Sequence, residues 1–109
     1  MLGIFTNKPQ PLADKIAGVL FKEHTFAFVI GDVEGQPMKP DPQRMLAAME
    51  KLGIKPEDSV FIGDGKPDIV TAKRAGIFAC GVSWGFKGLE ELEGADLLIN
   101  HPSELLHID

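Results

Sequence analysis

The 109-residue sequence predicts an α/β fold, a parallel sheet with helices on both faces. Three observations predict it. Short apolar runs alternate with helix-period segments in β-α-β-α-β-α-β order. The runs are continuously apolar, as strands buried on both faces are. Gly and Pro stand at the joints between segments.

The elements follow in order. Leu2 to Phe5 is a short apolar run that ends in Thr6-Asn7 and reads as a strand. Pro11 to Phe21 reads as a helix with Leu12, Ile16, Val19 and Leu20 on its inner face. Phe26 to Ile30 is a second strand, closed by Gly31, and Asp32 to Pro40 is a loop rich in Gly and Pro. Asp41-Pro42 reads as an N-cap followed by proline at the first helical position. Met45, Leu46, Met49 and Leu52 recur on one face of that helix, and Gly53 stops it. Val60 to Ile62 is a third strand, leaving through Gly63-Asp64. Pro67 to Ala75 is the next helix, stopped by Gly76. Ile77 to Val82 is a fourth strand, Glu90 to Glu93 a helical turn, Leu97 to Ile99 a last strand, and Pro102 to Leu106 a turn or helix.

Size and composition narrow the function. A chain of 109 residues, 44% hydrophobic and 25% charged, is one small globular domain with no internal boundary. A net charge of −5 argues against nucleic acid as a partner, because phosphate-backbone binders present a basic face. A small anionic substrate is compatible with it, since local charge can oppose net charge. The single cysteine, Cys80, lies in an apolar run and reads as a buried strand thiol, so no disulfide framework forms within the chain and a reducing cytoplasm is the expected compartment. No apolar run reaches the length of a membrane span, so no membrane role is expected.

Four residues fall where a parallel sheet gathers its ligands, at the carboxyl ends of strands. Thr6 ends the first strand. Lys39 lies in the loop after the second. Asp64 ends the third, with Asp68 four residues on, in the first turn of the next helix. One rim of the sheet is their expected place. Together they suit phosphoryl transfer, which needs positioned positive charge and hydrogen-bond donors around a phosphate. The Thr6 hydroxyl suits a phosphate oxygen, and the Lys39 ammonium suits another as a mobile point charge. The carboxylates of Asp64 and Asp68 suit Mg²⁺, a hard cation that takes oxygen ligands and keeps several waters. Taken singly, a strand-end Thr is a turn residue, a Lys before Pro is solvated, and an acid in a first turn favours the helix dipole.

These segments resemble the motifs of haloacid dehalogenase-type hydrolases, of the phosphoglycolate phosphatase kind. Ile4-Phe5-Thr6-Asn7-Lys8 resembles the second motif, Lys39-Pro40-Asp41-Pro42 the third, and Phe61-Ile62-Gly63-Asp64-Gly65-Lys66-Pro67-Asp68 the fourth. Gly81-Val82-Ser83-Trp84-Gly85-Phe86 and Ala95-Asp96-Leu97-Leu98-Ile99 look like the tail of such phosphatases. The resemblance implies a Rossmann-like three-layer core domain over residues 1–109. It implies phosphate contacts from Thr6 and Lys39, a phosphate or substrate contact from Asn7, and a magnesium site at Asp64 and Asp68.

The same resemblance implies what the sequence lacks. Such hydrolases open with a central strand ending in Asp-x-Asp, whose first Asp attacks phosphorus and whose second is the general acid and base. No Asp-x-Asp occurs in the 109 residues, and the first acid, Asp14, sits in a predicted helix. The central strand and the helical cap of the family are expected to be missing, the chain reads as truncated, and turnover is not expected from it alone. Its expected partner is a small phosphorylated metabolite. Two unpaired strand edges would also favour self-association.

Other residues take ordinary readings. His24, His101 and His107 have no metal-ligand spacing. Trp84 and Phe86 read as packing, Met45 and Met49 as core, and Glu90, Glu91 and Glu93 as a solvated face. The leading function is a Mg²⁺-dependent phosphomonoester hydrolase. The alternative is a non-catalytic remnant or binding module of the same fold. A receiver-type signalling domain fits poorly, because its acids precede its Thr and Lys, whereas here Thr6 comes first and the acids last.

Overall fold

A computed structural model describes residues 1–20, 23, 25–84 and 89–107 of the chain. Phe21, His24, Gly85 and Phe86 lie outside the described residues, as do the side chains of Leu20, Leu106 and His107. The chain forms two compact units, Met1–Ile54 and Lys55–Asp109. Both are α/β, and every described strand pair is parallel. No described helix is long and apolar enough to cross a membrane.

The first unit runs β1 (Gly3–Pro9), α1 (Gln10–Leu20), β2 (Phe28–Asp32) and α2 (Gln43–Lys51). β1 and β2 form a two-stranded parallel sheet on which α1 packs, as a strand–helix–strand unit requires. The inner face of α1 differs from the expected one. Ala13 and Ala17 are buried and Ile16 is half-buried, whereas Leu12 is 45% and Val19 62% exposed. The buried stripe runs through Ala13 and Ala17, four residues apart on one helical face, and Leu12 and Val19 lie off it. In α2, Met45 and Met49 are buried as expected, and Leu52 lies exposed beyond the last turn. The start of α2 lies one residue later than the Asp-Pro signal predicts: Pro42 takes the N-cap position, without a side-chain cap, and Gln43 is the first helical residue, while Asp41 Oδ1 accepts the Gln43 N–H at 2.8 Å from just before the helix.

The second unit runs β3 (Val60–Gly63), α3 (Lys66–Ala75), β4 (Phe78–Val82) and β5 (Leu97–Ile99), with 3₁₀ turns at Leu89–Leu92 and Pro102–His107. The sheet order is β3-β4-β5, with Val60 opposite Phe78 and Cys80 opposite Leu97. Gly76 ends α3 in left-handed backbone, φ 73°. The core joins Ile69, Ala72 and Ala75 of α3 to Ile77, Ala79, Cys80, Val82, Leu92 and Ile99. Cys80 is fully buried, as its apolar run predicts, and burial together with the nearby Glu104 carboxylate raises its thiol pKa.

Burial on both faces does not hold throughout this sheet. Val60, Ile62 and Phe78 are between 42% and 49% exposed. Strand alternation accounts for only part of the pattern, because Cys80, opposite the exposed Ile62, is fully buried in the central strand. Phe61, Ala79 and Gly81 share the face against which Leu92 lies, while Val60, Ile62 and Phe78 share the other. Trp84 is also exposed, in a turn just past β4, rather than packed as its aromatic ring predicts.

Candidate functional site

In the first unit the candidate residues lie in an irregular stretch of β1. The register is regular through Phe5 opposite Ile30 and resumes at Pro9 opposite Asp32. Thr6, Asn7 and Lys8 thus stand between paired positions where β2 has Gly31 alone, a bulge of two extra residues. Thr6 therefore does not end its strand as expected; the strand bulges at Thr6 and continues to Pro9. Bulges re-aim side chains at the rim of a sheet. Inside the bulge, Thr6 Oγ1 accepts the Lys8 N–H at 3.2 Å, a local turn that leaves the hydroxyl proton to point elsewhere.

Asn7 connects the bulge to the loop before α2. Its Nδ2 donates to the Lys39 carbonyl at 3.5 Å. Lys39 is half-buried, its peptide bond to Pro40 is cis, and Asp41 N–H closes the turn on Met38 C=O at 2.9 Å. The first unit thus sets Asn7, next to Thr6 in the bulge, against the Lys39 backbone, and the three side chains are one hydroxyl, one carboxamide and one ammonium. All are groups that donate to an anion.

In the second unit Asp64 follows β3 and Asp68 sits in the first turn of α3. Asp68 is only 8% exposed. Its Oδ2 accepts the N–H of Asp64 at 3.1 Å and of Gly65 at 3.3 Å, as an acid at the third helical position reaches back to cap a helix start. The positive end of the helix dipole favours the carboxylate there. Gly63 makes this return possible, because a Cβ at that position would collide with the Asp68 side chain. Thr71, fully buried, donates its hydroxyl to Pro67 C=O at 2.6 Å and holds the same turn from below.

The donor set bears on a metal. Among the described residues no cluster of three or more His, Cys, Asp or Glu is arranged to hold an ion. The Asp64–Asp68 loop offers carboxylate oxygens without imidazole or thiolate. That is the chemistry of a hard cation bound through one or two carboxylates, with the remaining positions left to water and phosphate. Mg²⁺ fits this set. Asp68 spends one oxygen on two backbone N–H groups, so Asp64 is the freer of the two to act as a ligand.

Sequence reasoning passed over three residues that organise these loops. Arg44 Nη1 donates to Gly31 C=O at 2.5 Å, the Gln10 carboxamide bonds to β2, and Asp96 ties β4 to α3. Each acts through bonds between residues distant in sequence, which periodicity does not record.

Comparison with known proteins gives consistent matches. A family model described as haloacid dehalogenase-like hydrolase matches residues 1–82. The phosphoglycolate phosphatase of Escherichia coli (strain K12) is 35% identical over 107 residues, which cover 96% of this chain and 42% of that protein. Among solved structures, a predicted phosphatase from Clostridium acetobutylicum superposes with a TM-score of 0.85 at 29% identity, covering 98% of this chain and 52% of that one. A haloacid dehalogenase-like family hydrolase from Streptococcus pneumoniae gives 0.82 at 28% identity, covering 97% and 50%. The chain spans less than half the length of the curated relative it matches.

Proposed function

Because the chain belongs to the haloacid dehalogenase-like hydrolase family, we propose that it carries the phosphate- and metal-holding residues of a Mg²⁺-dependent phosphomonoester hydrolase. The observation that supports this most is the family match over residues 1–82, which contains Thr6, Asn7, Lys39, Asp64 and Asp68 in motif order. Similarity to phosphoglycolate phosphatases favours a small phosphorylated acid as substrate, and the reducing cytoplasm suits the buried thiol of Cys80.

The division of labour follows from the side chains. The Thr6 hydroxyl donates to one phosphate oxygen, and the Lys39 ammonium neutralises another. Asn7 holds the Lys39 carbonyl and so couples the two loops. Asp64 would hold Mg²⁺, with Asp68 fixing the backbone that carries it. The ion would supply positive charge against the phosphate oxygens. The sequence contains no Asp-x-Asp, so no side chain in this set is placed to attack phosphorus. The chain by itself then holds phosphate without cleaving it, which is the binding-module reading of the same fold. β1 and β3 are edge strands of their sheets, and we further propose that they promote self-association.

The test is phosphate release from 2-phosphoglycolate and from p-nitrophenyl phosphate with Mg²⁺. The expected result is none above buffer. Turnover that Asp64→Ala abolishes would overturn the claim that the chain lacks a nucleophile.

A further inference from the structure

No motif singles out Gln10, yet its carboxamide is bonded on both sides. Nε2 donates to the Val29 carbonyl at 2.9 Å and to Asp14 Oδ1 at 2.9 Å. Oε1 accepts the Gly31 N–H at 2.6 Å. Both amide protons and the carbonyl oxygen are engaged. Only one orientation of the amide satisfies all three partners. The flipped one would set an oxygen against a carbonyl and a carboxylate, and an N–H against an N–H.

The pattern of partners matters more than their number. Val29 C=O and Gly31 N–H flank Ile30. The N–H and C=O of one residue of a neighbouring parallel strand bond to these two groups of a partner, one residue to each side of the position it faces. Gln10 therefore grips β2 with a side chain in the way a backbone would. It does so as the first residue of α1, directly after Pro9, where the register of β1 resumes.

This makes Gln10 the far anchor of the bulge. Thr6, Asn7 and Lys8 hang between the Phe5–Ile30 pairing and the Pro9–Gln10 attachment. Three residues pinned at both ends have little freedom left. Gly31 shows how close the attachment is: a Cβ there would come within 2.7 Å of the Lys8 carbonyl oxygen and 2.8 Å of Gln10 Cα. The Gly31 carbonyl in turn accepts from Arg44 of α2. One glycine thus receives Gln10 on its N–H and the Lys39-side helix on its C=O.

We infer that Gln10 is a positioning residue, whose carboxamide sets the Thr6–Asn7–Lys8 bulge in the shape that presents the Thr6 hydroxyl to a phosphate. Gln10 itself touches no ligand. The inference rests on the reading of Thr6 as a phosphate contact. Misplacement of a donor by a fraction of an ångström weakens an anion contact severalfold.

The experiment measures inorganic phosphate affinity of the full chain by calorimetry for wild type, Thr6→Val, Gln10→Ala and Gln10→Glu, with circular dichroism as the fold control. Thr6→Val is expected to weaken binding about tenfold, and Gln10→Ala about threefold to tenfold. Gln10→Glu, ionised at pH 7.5, faces the Val29 carbonyl and the Asp14 carboxylate and is expected to bind as weakly as Gln10→Ala. Gln10→Ala added to Thr6→Val is expected to weaken binding no further than Thr6→Val alone, because Gln10 acts through Thr6.

If Thr6→Val weakens binding while folded Gln10→Ala and Gln10→Glu match wild type, or if Gln10→Ala weakens binding equally in the Thr6→Val background, Gln10 is ordinary strand glue and the inference fails with the phosphate reading intact. If Thr6→Val itself changes nothing, the reading fails and takes the inference with it. Should the Gln10 variants not fold, hydrogen exchange of the wild-type Gln10 carboxamide decides. Slower exchange on adding phosphate supports the role, and unchanged exchange overturns it.

Discussion

The Asp68 carboxylate accepts the backbone N–H of Asp64 at 3.1 Å, so the second acid of the pair holds the first in place. Asp68→Ala removes the acceptor for two N–H groups at the start of α3 and is expected to cost about 1–2 kcal/mol. Asp68→Asn keeps a side-chain oxygen and is expected to cost less than half of that. Urea denaturation of both variants checks this; equal losses would contradict the capping role.

Gly63 and Asp68 are coupled by shape. A Cβ at position 63 occupies the space of the Asp68 side chain. Gly63→Ala is expected to destabilise by more than ~1 kcal/mol in the wild-type background and by clearly less in the Asp68→Ala background. A double-mutant cycle by urea denaturation reads the difference. Additive losses would show that the two residues do not compete for space.

Asp96 gives the chain an acid-sensitive joint. Ala79 N–H donates to its Oδ2 at 2.8 Å, and Lys73 Nζ lies 2.5 Å from its Oδ1. The Ala79 hydrogen bond first, and Lys73 second, hold its pKa below the usual carboxylate value. The sign follows from linkage. A carboxylate with a lowered folded pKa stabilises the fold above its unfolded pKa of about 3.9. That contribution is lost as pH falls through the folded value. Stability of wild type is therefore expected to drop more steeply below about pH 4 than that of Asp96→Asn. Parallel acid limbs in pH-dependent denaturation would contradict this.

The edge strands carry a separate expectation. β1 and β3 each have a strand neighbour on one side of their sheets, and Val60, Ile62 and Phe78 add exposed apolar surface in the second unit. Unpaired edges and apolar patches favour association. Light scattering after size exclusion is expected to show mass rising with concentration. A monodisperse monomer with a cooperative melt would contradict it.

Much of this was legible in the sequence, for identifiable reasons. Asp41-Pro42 locates the start of α2 to within one residue, because the Asp41 bond to Gln43 and the proline act locally. Gly63-Asp64 marks the end of β3 because the turn needs a residue without a side chain. The inner face of α1 was not legible: Leu12 and Val19 have the periodicity of a core stripe, but the buried stripe runs through Ala13 and Ala17. The bulge at Thr6 and the grip of Gln10 on β2 were not legible either. They depend on bonds across 19 to 21 residues, which no local pattern encodes.

The reading proposed for the first unit is that Thr6 and Lys39 hold phosphate. Calorimetric titration of the full chain with inorganic phosphate tests it most directly. The expected result is that Lys39→Ala and Thr6→Val each weaken phosphate binding about tenfold. Phosphate affinity that ignores both Thr6 and Lys39 would contradict it.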